Sequence, residues 1–221
     1  MKCENNSEKV FWKDGYTHVL GMDEAGRGPI AGPLVVAGVC FPKGYEHEFI
    51  YDSKKLSEKK REELFEIIKK DALYYTIEIV SESFVDEHNI YAATQMTMER
   101  IVKECSICDA VLSDAMPLPH IDKPYEALVK GDQKSVSIAA ASILAKVTRD
   151  HIMYEHDKKY PEYGFKKHKG YPTKAHLEAL DKYGVLEIHR RSYGPVAKKL
   201  SEQMQFDFGA LKSSGVLKKS L

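Results

Sequence analysis

The chain has 221 residues, 43% of them hydrophobic, with 33 Lys plus Arg against 33 Asp plus Glu; this bounds it to one generous domain with a full core plus a tail and says nothing by itself about partners. From Lys158 to Leu221 stand 14 basic and 6 acidic residues, net +8, which leaves net −8 for residues 1–157; an acidic front and a basic back fit a metal-dependent enzyme acting on a polyanion, with a solvated basic face as the alternative. No run of about 18 apolar residues occurs and the start, Met1-Lys2-Cys3-Glu4-Asn5-Asn6, is polar, so a membrane-spanning helix is excluded and a soluble, untargeted, cytoplasmic protein is expected.

After an N-terminal extension, 1–16, the apolar stretch Thr17-His18-Val19-Leu20-Gly21-Met22 reads as a buried strand that ends at Asp23-Glu24 and a glycine-rich turn, Gly26-Arg27-Gly28-Pro29-Ile30-Ala31-Gly32-Pro33. Gly32–Phe41, rich in Val and small residues, is a second strand paired with the first like a hairpin. Ser57 caps an amphipathic helix over 57–70, with Leu64, Phe65, Ile67 and Ile68 on its apolar face. Ala72–Val80 alternates and is β-branched, a third strand; 82–106 has helical periodicity broken near Asn89, giving two helices. Asp109–Asp114 is a short strand ending in a carboxylate, and Tyr125–Lys130 is another ending at Gly131-Asp132. Ser135–Lys159 is a long helix whose Ala139, Ala140, Ala141 and Ser142 permit close approach to a sheet, and Pro161 stops it. Helices over 173–183 and 193–206 follow, and the last residues lack an apolar face. The order β-β-α-β-α-α-β-β-α predicts an α/β fold: a mixed five-stranded sheet flanked by helices, its early strands antiparallel and its later ones able to be parallel, with additional C-terminal helices. A catalytic domain over 17–203 and a mobile tail over 204–221 are expected.

Asp23, Glu24, Asp114 and Asp132 all fall at predicted strand ends or just after them, where ligands of open α/β sheets gather. Four acids suit a pair of divalent ions about 3.5–4 Å apart that activates water for an in-line displacement. Oxygen ligands without His or Cys favour Mg²⁺ or Mn²⁺ over Zn²⁺. Adjacent residues of a regular strand point to opposite faces, so Asp23 and Glu24 share a site only if the strand ends or bulges there. Gly26-x-Gly28-x-x-x-Gly32 is one residue too long for a dinucleotide fingerprint, and Pro29 and Pro33 spoil the helix that should follow. Lys146 and Arg149, three apart on the long helix, either touch phosphates or are solvated. Tyr171, among Lys166, Lys167, His168 and Lys169, offers an aromatic face beside cations, or packing. The four cysteines, Cys3, Cys40, Cys105 and Cys108, are sparse, and the lone Cys105-x-x-Cys108 lacks the second pair a zinc site needs.

Asp23-Glu24-Ala25-Gly26-Arg27-Gly28-Pro29 resembles the signature of bacterial ribonuclease HII, the type 2 ribonucleases H. Asp52-Ser53-Lys54-Lys55-Leu56, Lys130-Gly131-Asp132, Ala140–Asp150, His168-Lys169-Gly170-Tyr171-Pro172-Thr173 and His189–Pro195 resemble further blocks of that family, in its order, across residues 17–200. The resemblance implies a ribonuclease H-like fold and endonucleolytic cleavage of RNA in RNA–DNA hybrids and at single ribonucleotides embedded in duplex DNA. It implies Asp23, Glu24, Asp114 and Asp132 as the catalytic, metal-binding acids, Gly26, Arg27 and Gly28 on the ribose 2′-hydroxyl and flanking phosphate, and Tyr171 on the adjacent sugar. Ser113 stands where that family more usually has an apolar residue, and Gly26-Arg27-Gly28 with a short N-terminal extension argues against the sister family, ribonuclease HIII. A non-catalytic hybrid binder is the rival, and the intact acid quartet argues against it. A monomer is expected, and Gln205-Phe206-Asp207-Phe208 loosely resembles peptides that dock on bacterial sliding clamps, or forms the apolar end of a packed helix.

Overall fold

The computed structural model describes the backbone of residues 6–213 and the side chains of 7–203. In chain order the elements are α1 (Asn6–Lys13), β1 (Val19–Ala25), β2 (Leu34–Cys40), α2 (Glu58–Asp71), β3 (Tyr74–Val80), α3 (Glu82–His88), α4 (Ile90–Glu104), β4 (Ala110–Asp114), β5 (Tyr125–Leu128), α5 (Val136–Lys159), α6 (Phe165–His168), α7 (Lys174–Tyr183) and α8 (Gly194–Ser213). The expected α/β fold is present: one five-stranded sheet in the order β3-β2-β1-β4-β5, antiparallel from β3 to β1 and parallel from β1 to β5.

Local chemistry accounts for the boundaries. Ser57 accepts the Lys60 N–H at 3.2 Å and starts α2, and Thr173 does the same for His176 at 3.4 Å in α7. Asn89, at φ 61°, breaks α3 from α4 and caps the second helix through Tyr91 and Ala92 N–H groups, both at 3.0 Å. Its positive φ is uncommon outside glycine, and the two bonds its short amide makes to the first turn of α4 help hold it there.

The contacts divide the chain into two compact units: one runs up to Arg27 and resumes over Pro33–Ile152, and the other takes Gly28–Gly32 and the chain from Met153 on. In the first, β2 is buried along its whole length, and Val35, Ala37 and Val39 pack with the alanines of α5 and with Leu64 and Ile68 of α2. Ile101 of α4 covers Gly38 on the opposite face of the sheet. Gly21 of β1 explains why α5 lies so close to its face: a Cβ there would sit 2.4 Å from the Ile138 nitrogen and the Ser137 carbonyl carbon. In the second unit Ala31, Met153, Phe165 and Ile188 form one cluster, and Ile30, Leu180 and Val196 another.

Several expected boundaries shift. β1, expected to end at Asp23-Glu24, runs through both acids to Ala25, because its pairing with β2 continues without interruption to Ala25 opposite Val35. β5 ends at Leu128, and Lys130 turns left-handed at φ 58°, so Asp132 sits in a short 3-10 turn, Gly131–Gln133. Residues 6–13, read as plain extension, form α1. α8 runs past the expected 206 to Ser213; the side chains of Gln205-Phe206-Asp207-Phe208, and residues 214–221 of the expected tail, lie outside the described residues. Cys40, Cys105 and Cys108 are buried free thiols, and Lys123 donates to Cys108 Sγ at 3.0 Å. Among the described residues no helix is long and apolar enough to cross a membrane.

Gly21→Ala should cost about 3 kcal/mol, since the methyl group meets rigid helix backbone rather than a side chain that can swing aside. Urea unfolding would check it, and a variant within about 0.5 kcal/mol of the parent would contradict the packing described.

Candidate active site

Strand register brings two of the acids together. β1 and β4 run parallel with Met22 opposite Ser113, so the next residues, Asp23 and Asp114, lie side by side at the carboxyl edge of the sheet and on one face. The Ser142 hydroxyl of α5 hydrogen-bonds Asp23, and Ser142 is itself tied to Ser53, oxygen to oxygen at 2.9 Å. Asp114 Oδ1 accepts the Gly131 N–H at 2.8 Å, which draws the turn carrying Asp132 towards it. Ser113 is fully buried and donates to the Met116 carbonyl at 2.6 Å, closing the turn after Asp114, so its hydroxyl is satisfied where an apolar residue was expected. Glu24 follows Asp23 in an unbroken strand without the bulge that would have swung both side chains together. It leaves the other face, and its own N–H donates to Asp23 Oδ1 at 2.7 Å.

Charge unites what strand geometry separates. Burial pushes the Asp23 carboxyl well above the usual carboxylate range, and the charges of Glu24 and Asp114 push it further. Burial also raises Glu24, against the pull of Arg27, whose Nη1 is 3.4 Å from Glu24 Oε1. Burial and then the charges of Asp52 and Asp114 raise Asp132. Glu24 Oε2 is buried with no hydrogen-bond partner. Among the described residues no three His, Cys, Asp or Glu side chains are already gathered into a metal-holding group. The acids repel one another more than Arg27 and Lys54 offset, and Glu24 leaves one acceptor orphaned; hard divalent cations are the chemistry that fits both.

The glycine-rich run is shaped by a buried arginine. Gly26 has φ +100°, and a Cβ on it would stand 2.3 Å from Arg149 Nε and 2.8 Å from the Pro33 carbonyl oxygen. Arg149 is 2% exposed and donates its Nε–H to that carbonyl at 3.0 Å. Lys146 is half-buried and donates to Asp150 at 2.7 Å. Of the pair read as touching phosphates or solvated, Arg149 is buried against loop backbone and shapes that loop, while Lys146 keeps part of its side chain open to solvent. Arg27 is exposed. Sequence reading left Lys54 without a role, yet its charge lowers both Glu24 and Asp132. Its position next to Asp52, whose Oδ1 accepts the Lys54 N–H at 3.1 Å, was the available signal.

In the second unit Gly28–Gly32 is zipped to the C-terminal chain: Ile30 N–H donates to the Gly170 carbonyl at 2.9 Å, Arg190 N–H to the Ile30 carbonyl at 2.8 Å and Gly32 N–H to the Ile188 carbonyl at 2.9 Å. Arg190, fully buried, adds Nε and Nη2 bonds to the Gly32 carbonyl at 3.1 and 2.8 Å. The Tyr171 ring, 47% exposed, lies over Gly28, where a Cβ would come within 3.2 Å of Cε1. Three buried histidines hold its loop. His168 Nδ1 accepts the Gly170 N–H at 3.2 Å, so its Nε2–H donates to the Tyr163 carbonyl at 2.8 Å. His189 Nδ1 accepts the Leu186 N–H at 2.9 Å, so its Nε2–H donates to His176 Nε2 at 3.1 Å; His176 then donates Nδ1–H to the Tyr171 carbonyl at 2.9 Å. Each ring is thus neutral in one defined tautomer.

The family model described as Ribonuclease HII matches residues 20–196. The Ribonuclease HII of Clostridioides difficile (strain 630) is 54% identical over 194 residues, covering 87% of this chain and 76% of the relative. The crystal structure of ribonuclease H2 from Pyrococcus horikoshii OT3 is similar with a TM-score of 0.70 at 26% identity, over 84% of this chain and 98% of the other. The structure of the PCNA:RNase HII complex from Archaeoglobus fulgidus is similar with a TM-score of 0.63 at 28% identity, over 78% and 91%.

Burial lowers His176 and His189 from the ordinary 6.5 to about 4. Above about pH 6.5 both states are neutral; as pH falls from there towards 4 the unfolded chain takes up protons that the fold refuses, so stability contributed by the neutral rings is lost. The urea midpoint should drop between pH 7 and pH 5, and the drop should shrink in a His176→Gln/His189→Gln double variant. An undiminished drop would show that these rings are not its source.

Proposed function

The chain belongs to the ribonuclease HII family, and from that premise we propose that it both hydrolyses the RNA strand of RNA–DNA hybrids and cuts on the 5′ side of single ribonucleotides embedded in duplex DNA, leaving 5′-phosphate and 3′-hydroxyl ends. It is a ribonuclease H enzyme, and dependence on divalent metal belongs to the family. Our reading is that two ions, Mg²⁺ or Mn²⁺, act together, held by Asp23, Glu24, Asp114 and Asp132. When bound, such ions activate water for attack on phosphorus and stabilise the leaving oxygen.

The observation that carries this is the set of buried, mutually repelling carboxylates with an orphaned Glu24 oxygen, directly preceding Gly26-Arg27-Gly28 in the chain. The protein's own groups have separable tasks. Ser142 and the Gly131 N–H orient Asp23 and Asp114. Arg27, exposed, offers a guanidinium to phosphate. Gly28, bare of Cβ, lets the backbone approach a ribose, whose 2′-hydroxyl is the one group distinguishing RNA from DNA at a site. Tyr171 presents its ring for packing on the neighbouring sugar. No Ser, Cys or His nucleophile is invoked.

A second reading concerns a partner. A relative was solved as a PCNA:RNase HII complex, and we extend clamp contact to this chain through Gln205-Phe206-Asp207-Phe208. Deleting residues 204–221 should abolish pull-down by a bacterial sliding clamp; capture that survives the deletion would dispose of that role.

Asp23→Asn should abolish cleavage of a duplex holding one ribonucleotide while leaving the protein folded, and undiminished turnover would sink the assignment. Tyr171→Phe should keep most of the rate and Tyr171→Ala should lose about ten-fold or more, in keeping with the worth of one aromatic contact to nucleic acid. Equal rates for the two would remove Tyr171 from the site. Product formed without Mg²⁺ or Mn²⁺ would contradict the metal reading.

A further inference from the structure

We propose that Glu8, on the N-terminal helix α1, is a positioning residue for the acid site: it pins the start of α5 and, through Ser135, the turn that carries Asp132 and grips Asp114. The proposal rests on reading Asp132 and Asp114 as metal ligands.

Glu8 is 1% exposed, an unusual place for a carboxylate on a short terminal helix. Its Oε1 accepts two hydrogen bonds from residues more than a hundred positions away, the Ser135 hydroxyl at 2.6 Å and the Ser137 N–H at 3.1 Å. The first N–H groups of a helix have no partner within it and carry partial positive charge, so an acceptor there is stabilising. α5 meets this need twice: Ser135 Oγ accepts the Ile138 N–H at 3.1 Å as a local cap, and Glu8 takes the Ser137 N–H from outside. Apolar packing seats α1, with Phe11 in one cluster with Val19, Ala110, Leu112, Leu128 and Ile138.

The chain of bonds then leads into the site. Ser135 N–H donates to the Gly131 carbonyl at 2.9 Å, and Gly131 N–H donates to Asp114 Oδ1 at 2.8 Å. Asp132 lies in the 3-10 turn Gly131–Gln133 between those two bonds. Three hydrogen bonds therefore join Glu8 to Asp114 through Ser135 and Gly131, and the turn carrying Asp132 is held at both ends. Burial raises the Glu8 carboxyl, with the bonds from Ser135 and Ser137 opposing. Glu8 Oε2 has no hydrogen-bond partner, so a glutamine that keeps one acceptor oxygen retains both bonds that matter. The family match begins at residue 20, so this support comes from outside the matched region.

The test uses the full chain as Glu8→Ala, Glu8→Gln, Ser135→Ala, Asp132→Asn and Ile68→Ala. Mn²⁺ binding to each protein alone is measured by the loss of the free-ion electron paramagnetic resonance signal, beside thermal midpoint, kcat and KM. Disturbing a partner that orients metal ligands typically costs ten- to hundred-fold, so Glu8→Ala should weaken Mn²⁺ binding and lower kcat by about that factor. KM should stay within about two-fold, because substrate contacts are unaltered. Glu8→Gln should stay near the parent, and Ser135→Ala should move with Glu8→Ala, which keeps the proposal testable if the latter does not fold. Ile68→Ala, in the α2 core, should lose thermal stability with no change in Mn²⁺ affinity. Parental Mn²⁺ binding in Glu8→Ala or, should that variant not fold, in Ser135→Ala, would overturn the positioning role; so would a loss that Ile68→Ala reproduces. Parental binding in Asp132→Asn would instead overturn the metal reading beneath it.

Discussion

Like charges buried together at the end of a central strand are the constraint around which the first unit is organised. Asp23 has β2 on one side, β4 on the other and α5 over its face, so water cannot screen it. Its nearest charged neighbours, Glu24 and Asp114, have the same sign. A fold that only had to be stable would place an apolar side chain there. Keeping the acids requires supports that are themselves buried: Ser142 on Asp23, the Gly131 amide on Asp114 and Ser113 closing the turn behind it. These hold orientation and leave the charge unbalanced, and that imbalance is what a divalent cation answers.

The glycine-rich run joins this charge problem to recognition. Two buried arginines serve backbone carbonyls near its end, Arg149 on Pro33 and Arg190 on Gly32, each within its own unit. Gly26 is bare because Arg149 fills the space a Cβ would take, and Gly28 is bare beneath Tyr171. Neutral histidines settle the Tyr171 loop with directional bonds whose donors and acceptors are all assigned. Gly26 is demanded by its positive φ and by its close neighbours, whereas Gly28 is the exposed one, where a methyl would press only on the Tyr171 ring.

Most of the architecture was legible in sequence, and the exceptions have physical causes. Alternation, the Ser57 cap and the Asn89 break announced sheet and helices, since those signals act locally. What was not legible at the end of β1 is that it stays regular through Asp23 and Glu24, since acids are poor strand formers and cross-strand pairing with β2 is what holds them in register. α1 went unread because eight residues make a marginal helix alone; long-range packing of Phe11 and the bond that Ser135 donates to Glu8 hold it. The burial of Arg149 was not legible because helical spacing places a residue on a face without saying what covers that face. Asp23, Glu24, Asp114 and Asp132 are grouped in the sequence by their strand-end positions and by the family resemblance, whereas the balance of burial and charge among them needs coordinates.

If divalent cations are the missing counter-charge of the acids, the folded protein should be stabilised by them. The most direct measurement is the thermal unfolding midpoint of the parent and of Asp114→Asn at neutral pH, titrated with Mn²⁺ in the absence of nucleic acid. A ligand that binds only the folded state raises its stability with concentration, so the parent midpoint should climb and the variant should respond much less. A parent midpoint unmoved by Mn²⁺, or equal shifts in both proteins, would contradict the account.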